Sequence, residues 1–496
     1  VIGLDLGTSS CKAVSYTLDG FELRVGRGRY ATVRDAAGGA RQSPSEWWSA
    51  CLNALAEATV AGRKCLGIAL GAQLGTYVAL DDQLNPIEAA WTWQDGRSAA
   101  VLHRLADQLD LAEMASQLRT WLPLGPAWPL PRLMWLRESN PSTFERMRIL
   151  AMPKDYVLRR LTGTLATDPS SWRGLVSPEG AMHNGALDTL GLPDVVAPRL
   201  GADTPAGRLL PEVASAIGLP DSVRVFVGTG DFACALVGTG VVDEGDSFDI
   251  GGTSEHIGIL STERAPGASL VVVPYLEAAD PSSYVSYGVT SNGGSVTEWL
   301  GSVLLWDADS SPSGDRLSEL AAARPHRRPL LFIPYLNGER SPIWDADACG
   351  AWVGLRADHD RGDLVRAAFE GVAFNLREIR DSSPLTRGGQ VLRASGGTAR
   401  SSCWNQIKAD ILQTPIAVVA GLDSASLGAA IHAATGSGAF ATAADASRNM
   451  VRVDHVVDPD PSAAARYDEA FERYRSLATQ LNHQHPDRNP SPPNLA

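Results

Sequence analysis

The sequence predicts an α/β protein of two duplicated domains with a cleft between them. Three observations lead there. Short apolar runs alternate with stretches of helical period along the whole chain. The strand that opens the chain ends in Asp5-Leu6-Gly7-Thr8-Ser9, and half a chain later Asp249-Ile250-Gly251-Gly252-Thr253-Ser254 repeats the pattern of apolar strand, Asp, Gly and hydroxyl residue. Four Gly-containing loops directly follow strand-like runs. Ligands of α/β sheets bind at the carboxyl ends of strands, and mixed patterns of this kind argue layered sheets and helices.

The strand-like runs are Val1–Leu4, Ala13–Tyr16, Cys65–Leu70, Val223–Val227, Ser247–Ile250, His256–Leu260, Leu330–Ile333 and Gln390–Ala394. Helical patterns cover Ser45–Thr59 and Arg361–Arg380. The first has Ser43 as its expected N-cap, Pro44 at the first helical position and Glu46 completing a capping box. The second carries Leu364, Val365, Ala368, Phe369, Val372 and Leu376, an apolar stripe of helical period. The duplication places an N-terminal domain at 1–243 and a C-terminal domain at 244–481. The Pro-rich polar tail at 482–496 is expected to be poorly ordered.

A chain of 496 residues with 44% hydrophobic and 20% charged residues can fill two to four cores and is not disordered overall. Its 43 Lys+Arg stand against 56 Asp+Glu, a net charge of -13, which argues against a nucleic-acid binder. No apolar run approaches the ~18 residues of a membrane span. The chain opens on a strand pattern rather than a signal peptide. Its six Cys form no CxxC and no zinc spacing, so reduced thiols and a cytoplasmic location are expected. There are only four lysines, Lys12, Lys64, Lys154 and Lys408.

The chemistry-bearing segments are the Gly loops. In Asp5–Lys12 the Gly and hydroxyl residues let backbone N–H groups approach a phosphate. Asp5 suits a Mg²⁺ held through water, and Lys12 supplies a point charge. Gly228-Thr229-Gly230-Asp231 places a carboxylate at a strand end, suited to take a proton from a hydroxyl. Gly251-Gly252-Thr253-Ser254 and Ser395-Gly396-Gly397-Thr398-Ala399 are further loops of this kind. None is a Walker A or a GxGxxG fingerprint. Each loop alone reads more readily as a turn, and Asp231 equally as a helix cap.

In order along nearly the whole chain, these segments resemble the FGGY carbohydrate kinases of the actin/Hsp70/sugar-kinase (ribonuclease H-like) fold. The resemblance rests also on Gln73, Trp93-Gln94-Asp95-Gly96-Arg97, Pro153-Lys154-Asp155-Tyr156, Leu161-Thr162-Gly163, Thr167-Asp168, Pro334–Pro342, Gly350–Glu370 and Ser426–Ala430. It implies ATP-dependent phosphorylation of a terminal sugar hydroxyl, with Mg²⁺. Asp231 is then the base, and Asp5 the metal-side carboxylate. Thr8, Lys12, Gly252 and Thr253 position the transferred group, and Gly396, Gly397 and Thr398 line the adenosine pocket. Gln73, Trp93 and Asp231 contact the sugar, with Trp93 against its carbon face.

Within the family, the Trp93, Pro153 and Tyr335 strings are most similar to the xylulokinase branch, which implies D-xylulose as the sugar. Another ketose, a polyol or a sugar acid stays open. So do a non-catalytic sugar-responsive protein and an ATPase moving protein partners; sugar-dependent ATP turnover separates the kinase from both. Sugar and ATP are the implied partners, and a homodimer stays open as the assembly. The sequence departs from that branch in having Gln73-Leu74-Gly75-Thr76 for Gln-Met-His-Gly and Phe232 after the base. Gly75 is expected to open space above the sugar. Glu339-Arg340 is expected to be a buried ion pair.

Overall fold

The computed structural model describes residues 1–265, 269–304, 314–323, 330–383, 391–421 and 423–482. Two large mixed sheets carry the molecule. In the first, the strands lie in the order Glu22–Arg29, Ser10–Tyr16, Ile2–Leu6, Gly67–Ala72, Arg224–Gly230 and Pro205–Arg208. In the second the order is Val271–Pro274, Tyr284–Val289, Glu255–Ser261, Ser247–Gly251, Leu392–Gly396, Ile416–Val419 and Val453–Val457.

The duplication read from the two Asp-Gly strings is a duplication of topology. In each half, three neighbouring strands pair antiparallel, and the first of them then pairs parallel with a further strand, which pairs parallel with another; in the second half Val271–Pro274 adds an extra edge strand. Central strands such as Gly67–Ala72 are buried along their whole length, as apolar runs covered on both faces should be.

The sequence boundary near 243 is not a boundary of packing. The helix Asp231–Thr239 leaves the first sheet and sets Ala233 and Leu236 against Phe248 and Leu260 of the second. The helix Ser424–Gly436 leaves the second sheet and sets Leu427 and Ala430 against Val14 and Tyr16 of the first. The two helices cross at glycines. A β-carbon on Gly238 would lie 1.9 Å from the Ser424 carbonyl oxygen, and one on Gly428 would lie 1.9 Å from that of Cys234. Only glycine permits backbones to meet this closely.

Local expectations fared unevenly. The helices Pro44–Ala58 and Arg361–Asp381 form as the periodicity predicts. At the first, Ser43 is the N-cap and Pro44 follows, but no capping box forms. Ser43 Oγ turns to Ser45 Oγ, and the Glu46 carboxylate accepts instead from the Ala31 N–H at 3.2 Å. The tail expected from 482 lies, beyond the helix Ala464–Asn482, outside the described residues.

Candidate active site

The turn between the first two strands is tightly held. Gly7 N–H donates to the Ser10 carbonyl at 3.0 Å, Tyr30 Oη donates to the Gly7 carbonyl at 2.6 Å, and Gln42 Nε2 donates to the Thr8 carbonyl at 2.6 Å. Asp5 stands opposite Lys12 across the antiparallel pair and beside Gly71 across the parallel one. Its Oδ1 is buried without a partner. Burial, then Asp423, then Asp231 push its carboxyl well above the usual range, with Lys12 opposing. Lys12 itself is ion-paired with Asp423.

Asp231 opens its helix directly after the strand Arg224–Gly230, so Gly230 is the N-cap and Asp231 is not. Its Oδ1 accepts the Phe232 N–H at 2.8 Å. Burial pushes its carboxyl up to about 6, against that hydrogen bond and the Arg173 charge. Behind it lies a buried ionic scaffold. Lys154 Nζ bonds Asp155 and Asp168, both at 2.8 Å, and Asp168 accepts from the Thr229 hydroxyl at 2.9 Å. The Pro153–Tyr156 string thus fixes the strand end that presents Asp231.

Trp93, 39% exposed, donates its indole N–H to Thr8 Oγ1 at 3.2 Å, so the sugar-side and phosphate-side strings touch. Gln73 is placed differently from a free sugar contact. It is 1% exposed, and its Nε2 donates to Gln42 Oε1 at 3.0 Å, while its own Oε1 has no partner. The expected open space above Gly75 is absent. Gly75 has a φ of +69°, and a β-carbon there would lie 3.0 Å from Ala127 Cβ and 3.3 Å from Trp93 Cβ. Trp172 is fully buried with its indole on Thr167 at 2.9 Å.

In the second half, Gly252 and Thr253 are exposed, and the loop is closed on itself by Gly252 N–H to the Ser254 carbonyl at 2.8 Å. Gly396 and Gly397 lie directly behind it: a β-carbon on Gly396 would meet the Gly251 carbonyl oxygen at 2.2 Å. Thr398 departs from an exposed lining role. It is 5% exposed, and its hydroxyl donates to Glu255 at 2.8 Å. Lys408 joins the same Glu255 and bonds Asp249 at 2.8 Å. Asp249, the counterpart of Asp5, is therefore sealed inside; burial and then Glu255 push its carboxyl up to about 8 against Lys408. Glu339 and Arg340 form no direct pair. Glu339 accepts from backbone N–H groups of Ser291 and Arg340 at 2.6 and 2.8 Å, whereas Arg340 donates to Ser254 Oγ at 2.6 Å and steadies the exposed loop.

The sequence reading missed Asp423, Arg173, His256, Tyr287 and the Lys408 cluster. Asp423 had one legible signal, its place as N-cap before Ser424–Gly436. The others are brought in by tertiary packing alone.

Among the described residues, no three or more His, Cys, Asp or Glu side chains converge as a metal-ligand set. Mg²⁺ takes one or two carboxylates and completes its shell with water and phosphate. The unpartnered Asp5 Oδ1, in a cluster where Asp423 and Asp231 raise its carboxyl, is suited to such an ion. No described helix is long and apolar enough to cross a membrane.

A duplicated α/β scaffold with Gly/hydroxyl loops from both halves and a strand-end Asp defines a phosphoryl-transfer class of protein. Residues 1–238 match the N-terminal domain, and residues 250–437 the C-terminal domain, of the FGGY family of carbohydrate kinases. The chain belongs to that family. A xylulose kinase of Bacillus subtilis (strain 168) is 28% identical over 97% of this chain and 96% of the relative. Among solved structures, a ligand-bound xylulose kinase from Lactobacillus acidophilus superposes with a TM-score of 0.86 at 25% identity, covering 97% of this chain and 98% of that one. A gluconate kinase from Lactobacillus acidophilus gives 0.85, also at 25% identity, covering 97% and 98%.

Proposed function

We propose that this protein transfers the γ-phosphoryl group of ATP to a terminal hydroxyl of D-xylulose, giving D-xylulose 5-phosphate. The observation that carries the reading is the convergence of Asp231 with Asp5, Lys12 and Asp423 where the first sheet meets the helix Ser424–Gly436. A carboxyl raised to about 6 is poised to accept a hydroxyl proton near neutral pH.

The hydroxyl oxygen attacks the γ-phosphorus as Asp231 takes its proton, and ADP leaves. Lys12, Thr8 and the exposed Gly252-Thr253 backbone position the phosphates, which is where most of the catalysis of this reaction lies. Gly396 and the exposed Gly397 bring bare backbone to the adenosine, and Trp93 offers an apolar face to the sugar. Asp5 would hold Mg²⁺, through water, and the ion would supply charge neutralisation. Closure of the two halves keeps water from competing with the sugar. The six free thiols support a cytoplasmic setting.

ADP release coupled to NADH oxidation tests this. ATP turnover that rises on adding D-xylulose is expected. Turnover indifferent to every sugar, polyol and sugar acid would point to an ATPase, and sugar binding without turnover to a non-catalytic protein.

A further inference from the structure

Arg173 stands in a position that the reading so far does not use. Its loop is rigid: Asp168 accepts from Ser171 N–H at 3.0 Å and from Ser171 Oγ at 2.6 Å, and Trp172 is anchored on Thr167. Asp168 also holds Thr229, two residues before the base. The backbone that carries Arg173 is therefore tied to the strand that presents Asp231, and its charge reaches Asp231, His256 and Glu277.

The guanidinium makes one hydrogen bond, Nη1 to the Tyr287 hydroxyl at 3.1 Å, and lies 5.7 Å from the Phe232 ring centroid. Among the described residues it forms no carboxylate pair, and four of its five N–H donors are uncommitted there. Around it Phe232, His256 and Tyr287 form one aromatic cluster, with centroids 4.9 Å (Phe232–His256) and 4.6 Å (Phe232–Tyr287) apart. His256 stays neutral: burial, Arg340 and Arg173 pull it down to about 3. A half-buried fork with uncommitted donors, held by Tyr287 and set against the ring that follows the base, is a receptor for two oxygens at once.

We propose that Arg173 is the specificity-determining residue of the cleft. It takes a pair of substrate oxygens away from the hydroxyl that Asp231 deprotonates: the carbonyl and neighbouring hydroxyl of a ketose, or the carboxylate of a sugar acid. This rests on Asp231 being the base of the kinase reaction proposed above. Such a fork rewards a carbonyl or carboxylate over a plain polyol, since an incompletely engaged guanidinium leaves buried donors unpaired.

The test is kcat/KM at saturating ATP for D-xylulose, D-gluconate and xylitol, in the wild-type chain, Arg173→Met and Arg173→Lys. The wild type should favour D-xylulose or D-gluconate over xylitol by roughly 10- to 100-fold. Which of the two wins distinguishes ketose from carboxylate. Arg173→Met should raise KM for the preferred substrate by a similar factor, leave KM for ATP unchanged and bring all three substrates close together. Arg173→Lys should recover only part, because an ammonium has no fork. Unchanged selectivity in Arg173→Met, or an equal fall in kcat for all three with KM constant, overturns the proposal. If the wild type turns over none of them, the kinase reading is what fails. Calorimetric binding of the same compounds to wild type and Arg173→Met then decides the role of Arg173 by itself.

Discussion

Lys12 is ion-paired with Asp423, so the lysine of the first Gly/hydroxyl turn is held by a carboxylate from the far half of the chain. Asp423 also caps the helix Ser424–Gly436, accepting from Ser426 N–H at 3.2 Å. Asp423→Asn keeps the cap and removes the charge. Lys12 then faces the phosphates without a competitor, and KM for ATP should fall a few-fold. Lys12→Ala should do the opposite, cutting kcat/KM for ATP by roughly 10- to 100-fold. Calorimetry with sugar alone should show binding unchanged in both; an equal loss of sugar affinity would misplace Lys12.

Asp231→Asn should lower kcat by about 10²- to 10⁴-fold while ATP affinity stays near wild type. The amide retains size and polarity but accepts no proton. A variant that kept most of its turnover would mean that another group is the base.

The pH profile follows from the same carboxyl. Asp231 acts as a base only when deprotonated, and its carboxyl sits at about 6. Log kcat/KM should climb about one unit per pH unit below that point and level off above it. Arg173 lowers this value, so Arg173→Met should move the bend to higher pH. A bend near the ordinary carboxylate range in the wild type would contradict the burial that raises it.

Gly75→His should lose activity and should not gain selectivity. At a φ of +69° a β-carbon is strained, and Ala127 Cβ stands 3.0 Å away. Gly75→Ala alone should cost about 1 kcal/mol or more, read as a lower Tm. Retained Tm with sharper selectivity would restore the open pocket that the sequence suggested.

Lys408→Met should destabilise by about 3–5 kcal/mol, because Asp249 and Glu255 would be left buried without their cation. Adding Glu255→Gln to that variant should recover part of the loss by removing a buried carboxyl that has lost its cation. Urea denaturation of the single and double variants measures both, and additive losses would argue against a shared cluster.

Both the fold and the order of its loops were legible, because strand-end Asp and Gly residues are local signals that survive in a one-dimensional reading. Asp5, Thr8, Lys12 and Asp231 lie together because Ile2–Leu6 and Arg224–Gly230 both run parallel to Gly67–Ala72 in one sheet and end at the same edge. What was not legible depended on side-chain direction. Gly75 suggested a void from its missing side chain, yet its left-handed backbone brings Ala127 and Trp93 against it. Thr398 looked like a cleft residue by its neighbours Gly396 and Gly397, but Glu255 turns its hydroxyl inward. Glu339 and Arg340 are adjacent in sequence and point to different partners. Lys408 stood out by the rarity of lysine, but nothing in the sequence links it to Asp249, 159 residues away.

The meeting of Gly238 with Ser424 and of Gly428 with Cys234 sets how the halves can move. Helices separated by large side chains can slip along one another as the chains re-rotamerise. Here main chain touches main chain at two points, and sliding would drive carbonyl oxygens into α-carbons. Turning about the contact keeps both backbone approaches, with Val237, Leu427 and Ile431 in one apolar cluster beside them. Such a crossing suits a pivot, and it runs from Cys234 to Gly238 along the helix that begins with Asp231. A small swing of one half therefore changes the width of the cleft at the loops much more than it displaces the base.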